Sequence, residues 1–144
     1  MGLLNLRLLK LIGKFMSSIF TKIINREIPA YIVSENDLFI AFLDINPLVL
    51  GHVLVVPKVE VDYFFDLDDT LLSEMILFSK SISKKIKKAF PCKKIGLSIV
   101  GVEVLHAHIH LIPINSFNDM NFSNPKLNLS ANQLDSVLGK ILLS

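Results

Sequence analysis

The sequence predicts an α+β domain, a five-stranded, mainly antiparallel sheet with one long helix and a C-terminal helix, and three observations carry that prediction. Short runs rich in Ile, Val, Leu and Phe, bounded by Asn, Asp, Gly and Pro, recur at residues 30–34, 38–43, 51–56, 95–100 and 104–112, which is the composition and length of strands. One stretch of helical periodicity lies between the third and fourth runs. Strands, an inserted helix and strands again is the order of an α+β fold rather than of alternating βαβ units.

The inserted helix is predicted over residues 69–90. It opens on the acidic stretch 66–70, carries Leu71, Met75, Phe78, Ile82 and Ile86 at spacings of three and four, and is stopped by Pro91. Lys84, Lys85, Lys87 and Lys88 crowd its last turns. Acid first and base last suits the helix dipole, so the lysines read as a solvated face rather than a phosphate site. Ser130 with Gln133 three residues on forms a capping box ahead of Leu134, Val137, Leu138 and Ile141, which predicts the final helix within 129–144. In front of the main domain, 16–128, residues 1–15 place Leu4, Leu8, Leu11 and Phe15 on one helical face, weakened by Gly13. This segment reads as a dispensable extension, with a peripheral membrane-surface helix as the alternative.

At 144 residues the chain is long enough to bury a core without disulfides or structural metal. Its hydrophobic share of 51% raises the question of a membrane span. The most apolar window, 3–15, is broken by Arg7, Lys10 and Lys14 and falls short of the ~20 residues a spanning helix needs. No secretory cleavage pattern follows it. Cys92 is the single cysteine, which excludes an intramolecular disulfide and suits a reducing cytoplasm. A net charge of +2, from 15 basic and 13 acidic residues, leaves no electrostatic footprint for nucleic acid.

The chemistry concentrates in histidine. Three of the four histidines form the row His106-Ala107-His108-Ile109-His110. In a strand, residues two apart share a face, so the three imidazoles line one side while Leu105, Ala107, Ile109 and Leu111 line the core side. One strand histidine reads as a hydrogen-bonded structural residue; a row of three reads as a site. Metal binding is one option. His106 and His110 start ~13 Å apart at the backbone, too far for both to reach one ion. Two of the row with His52 remain a metal site, although no CxxC or HExxH cluster accompanies them. Covalent catalysis is the other. A neutral imidazole is available near pH 7, and a flanking imidazolium stabilises developing phosphate charge. His108, with a potential partner on each side, is the candidate nucleophile.

The row fits the HφHφHφφ pattern of the histidine triad family, where φ is apolar, and three further segments resemble that family in its order. Ile19-Phe20-Thr21-Lys22-Ile23-Ile24-Asn25-Arg26-Glu27-Ile28-Pro29-Ala30 is similar to the family's opening segment. Ala41-Phe42-Leu43-Asp44-Ile45-Asn46-Pro47 is similar to its ribose-binding segment, and Gly51-His52-Val53-Leu54-Val55-Val56-Pro57-Lys58 to the strand that follows. The match spans 18–113 and resembles the nucleotide-binding, purine nucleoside phosphoramidase branch.

The resemblance implies that a nucleoside monophosphate is transferred to His108 and then to water. His110 would contact the phosphate, and His52 and His106 would support the network. Asp44 would hydrogen-bond the ribose hydroxyls; its simpler reading is a turn residue. Ile19, Phe20, Ile23, Ile28, Phe42, Leu43 and Ile45 would form an apolar slot for the base. The substrate would be a purine nucleotide of AMP type, with no cofactor and no metal. The subunits would pair as a homodimer whose sheets run together, with helix 69–90 at the interface. Ser18 and Thr21 stand where several members carry two cysteines of a zinc site, so structural zinc is not expected. Gly101-Val102-Glu103-Val104 stands where the family often has Gly-Gln followed by Ser or Thr, and an asparagine often found earlier is missing from 95–100. Val102 cannot donate a hydrogen bond. Glu103 would be repelled by phosphate unless it acts as an acid or meets a cationic leaving group. The leading expectation is thus a hydrolase or transferase acting on phosphoramidate or phosphoanhydride bonds. A non-catalytic nucleotide-binding or protein-interaction module and a metal-dependent hydrolase compete with it.

Overall fold

The computed structural model describes residues 17–144; the extension expected at 1–15, with its membrane-surface reading, lies outside the described residues. In chain order the elements are α1 (Ile19–Ile24), β1 (Ile32–Glu35), β2 (Phe39–Leu43), β3 (Val53–Pro57), a 3-10 turn (Phe64–Asp66), α2 (Asp69–Ala89), β4 (Lys94–Ser98), β5 (Ile109–Ile114), a second 3-10 turn (Phe117–Met120) and α3 (Ala131–Leu142). The sheet has the order β1-β2-β3-β5-β4, and every neighbouring pair is antiparallel. The expected α+β architecture is present. After β3 the chain crosses through α2 to the edge strand β4 and returns as β5 into the gap beside β3.

The helix signals act as local chemistry predicts. The Asp68 carboxylate accepts the Leu71 N–H at the start of α2, and Lys84, Lys87 and Lys88 are exposed near its end. Ser130 and Gln133 form the capping box of α3 reciprocally.

Strand alternation divides the interior in two. Phe39, Ala41, Leu43, Val53, Val55, Ile109 and Leu111 face α2 and α3, packing with Met75, Ile82, Ile86, Leu134, Val137 and Ile141. The intervening Ile40, Phe42, Leu54 and Val56 face the other way and meet Phe20 and Ile23 of α1. Each large side chain buried this way contributes roughly 1.5–3 kcal/mol. Among the described residues one face thus carries α2 and α3, and the other a six-residue helix and loops.

Several expectations change. The strand expected at 104–112 begins at Ile109. Before it the backbone leaves the ladder: Gly101 has φ +70°, and the Ala107 N–H donates to Val61 O beyond β3 at 2.7 Å. Leu105, expected in the core, is 62% exposed. The run expected at 95–100 stops at Ser98, and β3 begins at Val53 rather than 51. Gly51 is required where it stands, because its φ is +90° and a Cβ there would lie 2.8 Å from the Phe90 ring. Among the described residues no helix is long and apolar enough to cross a membrane.

Candidate active site

β5 and the bend before it bring the histidines onto the sparsely covered face. His110 is in register with Leu54 of β3, and His52 sits immediately before that strand. All four rings are buried: His106 at 0% exposure, His52 at 2%, His108 at 5% and His110 at 9%.

Hydrogen bonds determine which ring nitrogen carries each proton. His52 Nδ1 accepts the Leu48 N–H at 3.1 Å, so its proton is on Nε2. That Nε2–H donates to His110 Nδ1 at 2.9 Å, which leaves the His110 proton on Nε2. His106 Nε2–H donates to Pro57 O at 2.8 Å, and its Nδ1 accepts from Ser18 Oγ at 2.6 Å. His108 Nδ1–H donates to the His106 carbonyl at 2.7 Å. Its Nε2 therefore carries a lone pair, and among the described residues no group is bonded to it. His108 and His110 lie side by side, ring centroids 4.9 Å apart. A lone pair on one Nε2 and a proton on the other set an acceptor beside a donor.

Burial lowers the pKa of all four rings. It takes His52 to about 3, with the His110, Lys126 and His108 charges adding to the effect. It takes His110 to about 4, assisted by His108 and Lys126. His108 and His106 fall for the same first cause, partly opposed by their bonds to the His106 and Pro57 carbonyls. Neutral rings thus stand where a flanking imidazolium was expected, and donation from N–H replaces full charge.

The other predicted residues divide. Phe20 lies edge-on to both His108 and Phe42, at centroid distances of 5.0 and 5.4 Å. Phe20, Ile23 and Phe42 share one apolar cluster, with Ile28 packed against it. Ile19 and Ile45 are exposed, at 48% and 57%. Leu43 does not join them, because adjacent strand residues point to opposite faces and it packs beneath α2 and α3. Asp44 makes the turn of its simpler reading, Oδ1 accepting the Asn46 N–H at 2.9 Å. Its Oδ2 nevertheless lies 3.6 Å from His52 Nε2, at the edge of the histidine group. Burial raises its pKa, and the nearby Glu103 carboxylate adds to that. Glu103 and Val102 are exposed on the loop before the row.

Asp44, His52 and His110 each offer an atom within 4.8 Å of the others and are a candidate metal set. Both histidine lone pairs in the set are already engaged, at His52 Nδ1 by Leu48 and at His110 Nδ1 by His52. A cation would have to displace the proton between the rings.

Three residues went unforeseen. Phe122 packs on His110 with centroids 4.9 Å apart, and Lys126 bonds the Phe122 carbonyl at 2.6 Å. Glu60 reaches the histidine group through α1 and lies 3.9 Å from His106 Nδ1. Its one sequence signal is an acidic residue just after the Pro57-Lys58 end of a conspicuous strand.

The family model for the HIT domain matches residues 25–117. A HIT-like protein of Borreliella burgdorferi is 37% identical over 134 residues, covering 88% of this chain and 96% of its own. Adenosine 5′-monophosphoramidase HNT1 of Saccharomyces cerevisiae is 36% identical over 96 residues, 66% of this chain and 61% of that protein. The crystal structure of a Hit-like protein involved in cell-cycle regulation from Bartonella henselae, with an unknown ligand, superposes with a TM-score of 0.76. It is 32% identical, over 88% of this chain and 95% of that one.

Proposed function

Because this chain belongs to the HIT domain family, we propose that it is a nucleotide hydrolase or transferase that cleaves a phosphoramidate or phosphoanhydride bond at the α-phosphorus of a purine nucleotide. The observation that carries the reading is the His108 Nδ1–H bond to the His106 carbonyl, which leaves Nε2 free to attack. The Nε2 lone pair forms a bond to phosphorus as the bond to the leaving amine or phosphate breaks and takes its electron pair with it. A leaving amine takes up a proton from solvent. His110 Nε2–H donates to a phosphoryl oxygen as charge builds there, its orientation held by His52. Water then attacks the same phosphorus and loses a proton, and the electron pair of the nitrogen–phosphorus bond returns to His108.

Phe20, Ile23 and Phe42 supply the apolar wall for the base, and Asp44 faces the ribose. The relative in yeast, named for its action on adenosine 5′-monophosphoramidate, supports that substrate class. Glu103, on the leaving-group side, favours a cationic amine. β4 is an edge strand with Leu97 45% exposed, and it supports a homodimer in which two sheets continue across paired edges; light scattering giving a monomer's mass would remove that part. The test of the chemistry is rapid, acid-free quenching during turnover of an adenosine phosphoramidate, then peptide mass spectrometry. A nucleoside monophosphate adduct is expected on His108. An adduct on His106, His110 or His52 would reassign the nucleophile.

A further inference from the structure

We propose that Glu60 is a positioning residue: through Ser18, Thr21 and His106 it holds His108 in the tautomer that bares Nε2. The inference rests on the reading of His108 as nucleophile and adds to it a group that touches no substrate.

Glu60 follows β3, while Ser18 and Thr21 begin α1. Its Oε1 accepts the Ser18 N–H at 2.6 Å and the Thr21 hydroxyl at 2.7 Å. The Ser18 oxygen caps α1 by accepting the Thr21 N–H at 3.0 Å. Groups that can only accept sort the protons of this clasp. A carboxylate only accepts, so the Thr21 hydroxyl proton points at Glu60. The Pro57 carbonyl also only accepts, so the His106 ring proton is on Nε2. Nδ1 must then accept, and the Ser18 hydroxyl donates to it.

The His106 ring is thus held at both nitrogens, and this orients its backbone. Its carbonyl is the acceptor for His108 Nδ1–H. A neutral histidine follows whichever nitrogen is given an acceptor, so the aim of that carbonyl keeps the lone pair on Nε2. A second route runs through Phe20, two residues after Ser18, whose ring lies 5.9 Å from His106 and 5.0 Å from His108. Releasing the first turn of α1 releases that packing as well. Glu60 itself is 39% exposed, so water satisfies the donors when it is removed. The loss falls on orientation rather than on the fold.

The experiment uses the full chain labelled with nitrogen-15 histidine, as wild type, Glu60→Ala, Glu60→Gln and Thr21→Val. Ring nitrogen shifts report the His108 tautomer without turnover, and steady-state kinetics with an adenosine phosphoramidate report kcat and KM. In Glu60→Ala a mixture of His108 tautomers is expected. Its kcat should fall about tenfold, the rate equivalent of one net hydrogen bond, and by more than KM changes. Glu60→Gln keeps the accepting Oε1 and should restore both readouts. Thr21→Val should shift them the same way by less, and it decides the matter if Glu60→Ala does not fold. A wild-type tautomer pattern in the alanine variant, a rise in KM at constant kcat, or a glutamine variant as impaired as the alanine one would overturn the proposal. If the wild-type protein turns over no nucleotide, the hydrolase reading falls, while the ring shifts still decide on the clasp.

Discussion

On the side of the sheet that faces α2 and α3, Ile109 and Leu111 are 0% and 2% exposed; on the other side their neighbours His108 and His110 are nearly as buried, at 5% and 9%. The covering differs far more than the burial. Ile109 and Leu111 need only volume, and Met75, Ile82, Leu134 and Val137 supply it. His108 and His110 need hydrogen-bond partners as well, and each Nδ1 has one, the His106 carbonyl for His108 and the His52 ring for His110. A buried polar face can thus be saturated at every atom but two, the Nε2 atoms of His108 and His110. Among the described residues no buried side-chain nitrogen or oxygen lacks a partner, so the open positions at the two Nε2 atoms are where solvent or substrate enters.

The two faces should differ most in their response to substitution at His108. His108→Asn should lower turnover by about a thousandfold or more, because loss of the nucleophile abolishes the covalent route, while leaving the melting temperature almost unchanged. A loss within tenfold would mean that another group attacks. On the opposite face, Ile82→Ala empties a site 1% exposed and should cost about 2–5 kcal/mol in chemical denaturation. The activity of the folded fraction should stay intact. If instead kcat falls with stability, the two faces are mechanically coupled.

Acid should separate the faces without mutation. His52 and His110 sit at about 3 and about 4 in the folded chain, against about 6.5 when unfolded. Below pH 6.5 the unfolded chain takes up protons that the folded chain refuses. Stability is therefore complete above that pH and is lost as pH falls through the folded values, by up to about 1.4 kcal/mol per pH unit for each ring. Denaturation midpoints from pH 7 to 4 check this, and His110→Gln should flatten the slope. A flat wild-type profile would show that the rings accept protons in place. The smallest effect is expected from chelation, which should leave turnover unchanged, since the lone pairs of the Asp44, His52 and His110 set are engaged in hydrogen bonds. Activity lost on chelation and restored by zinc would reverse that assignment.

The core face was largely legible. Its strands alternate apolar residues, and its helices carry caps whose chemistry is local, as Asp68, Ser130 and Gln133 illustrate. Pattern and fold part where the partner is distant. Residues 104–108 have a plausible strand pattern, but the Ala107 N–H finds Val61 instead of a neighbouring strand. Glu60 meets Ser18 and Thr21 across 42 and 39 residues, which no spacing rule reaches. Leu43 is a different case: the resemblance implies a place beside Phe42 in the base slot, but neighbours in a strand point to opposite faces, and the two belong to separate clusters. On the histidine face the residue types were legible, and the tautomers were not, because each depends on a carbonyl or amide contributed by the fold.

The contacts that build that face also set when it can exist. His52 meets His110 across 58 residues and His106 meets Ser18 across 88, so their closure waits on the ordering of everything between them. A chain emerging from the ribosome can complete α1, the first three strands and α2 while no member of the triad has yet been made. The histidine arrangement is thus expected late in folding, once β5 takes its place between β3 and β4. In a refolding experiment recovered activity should track that last strand insertion and lag behind the return of helical signal.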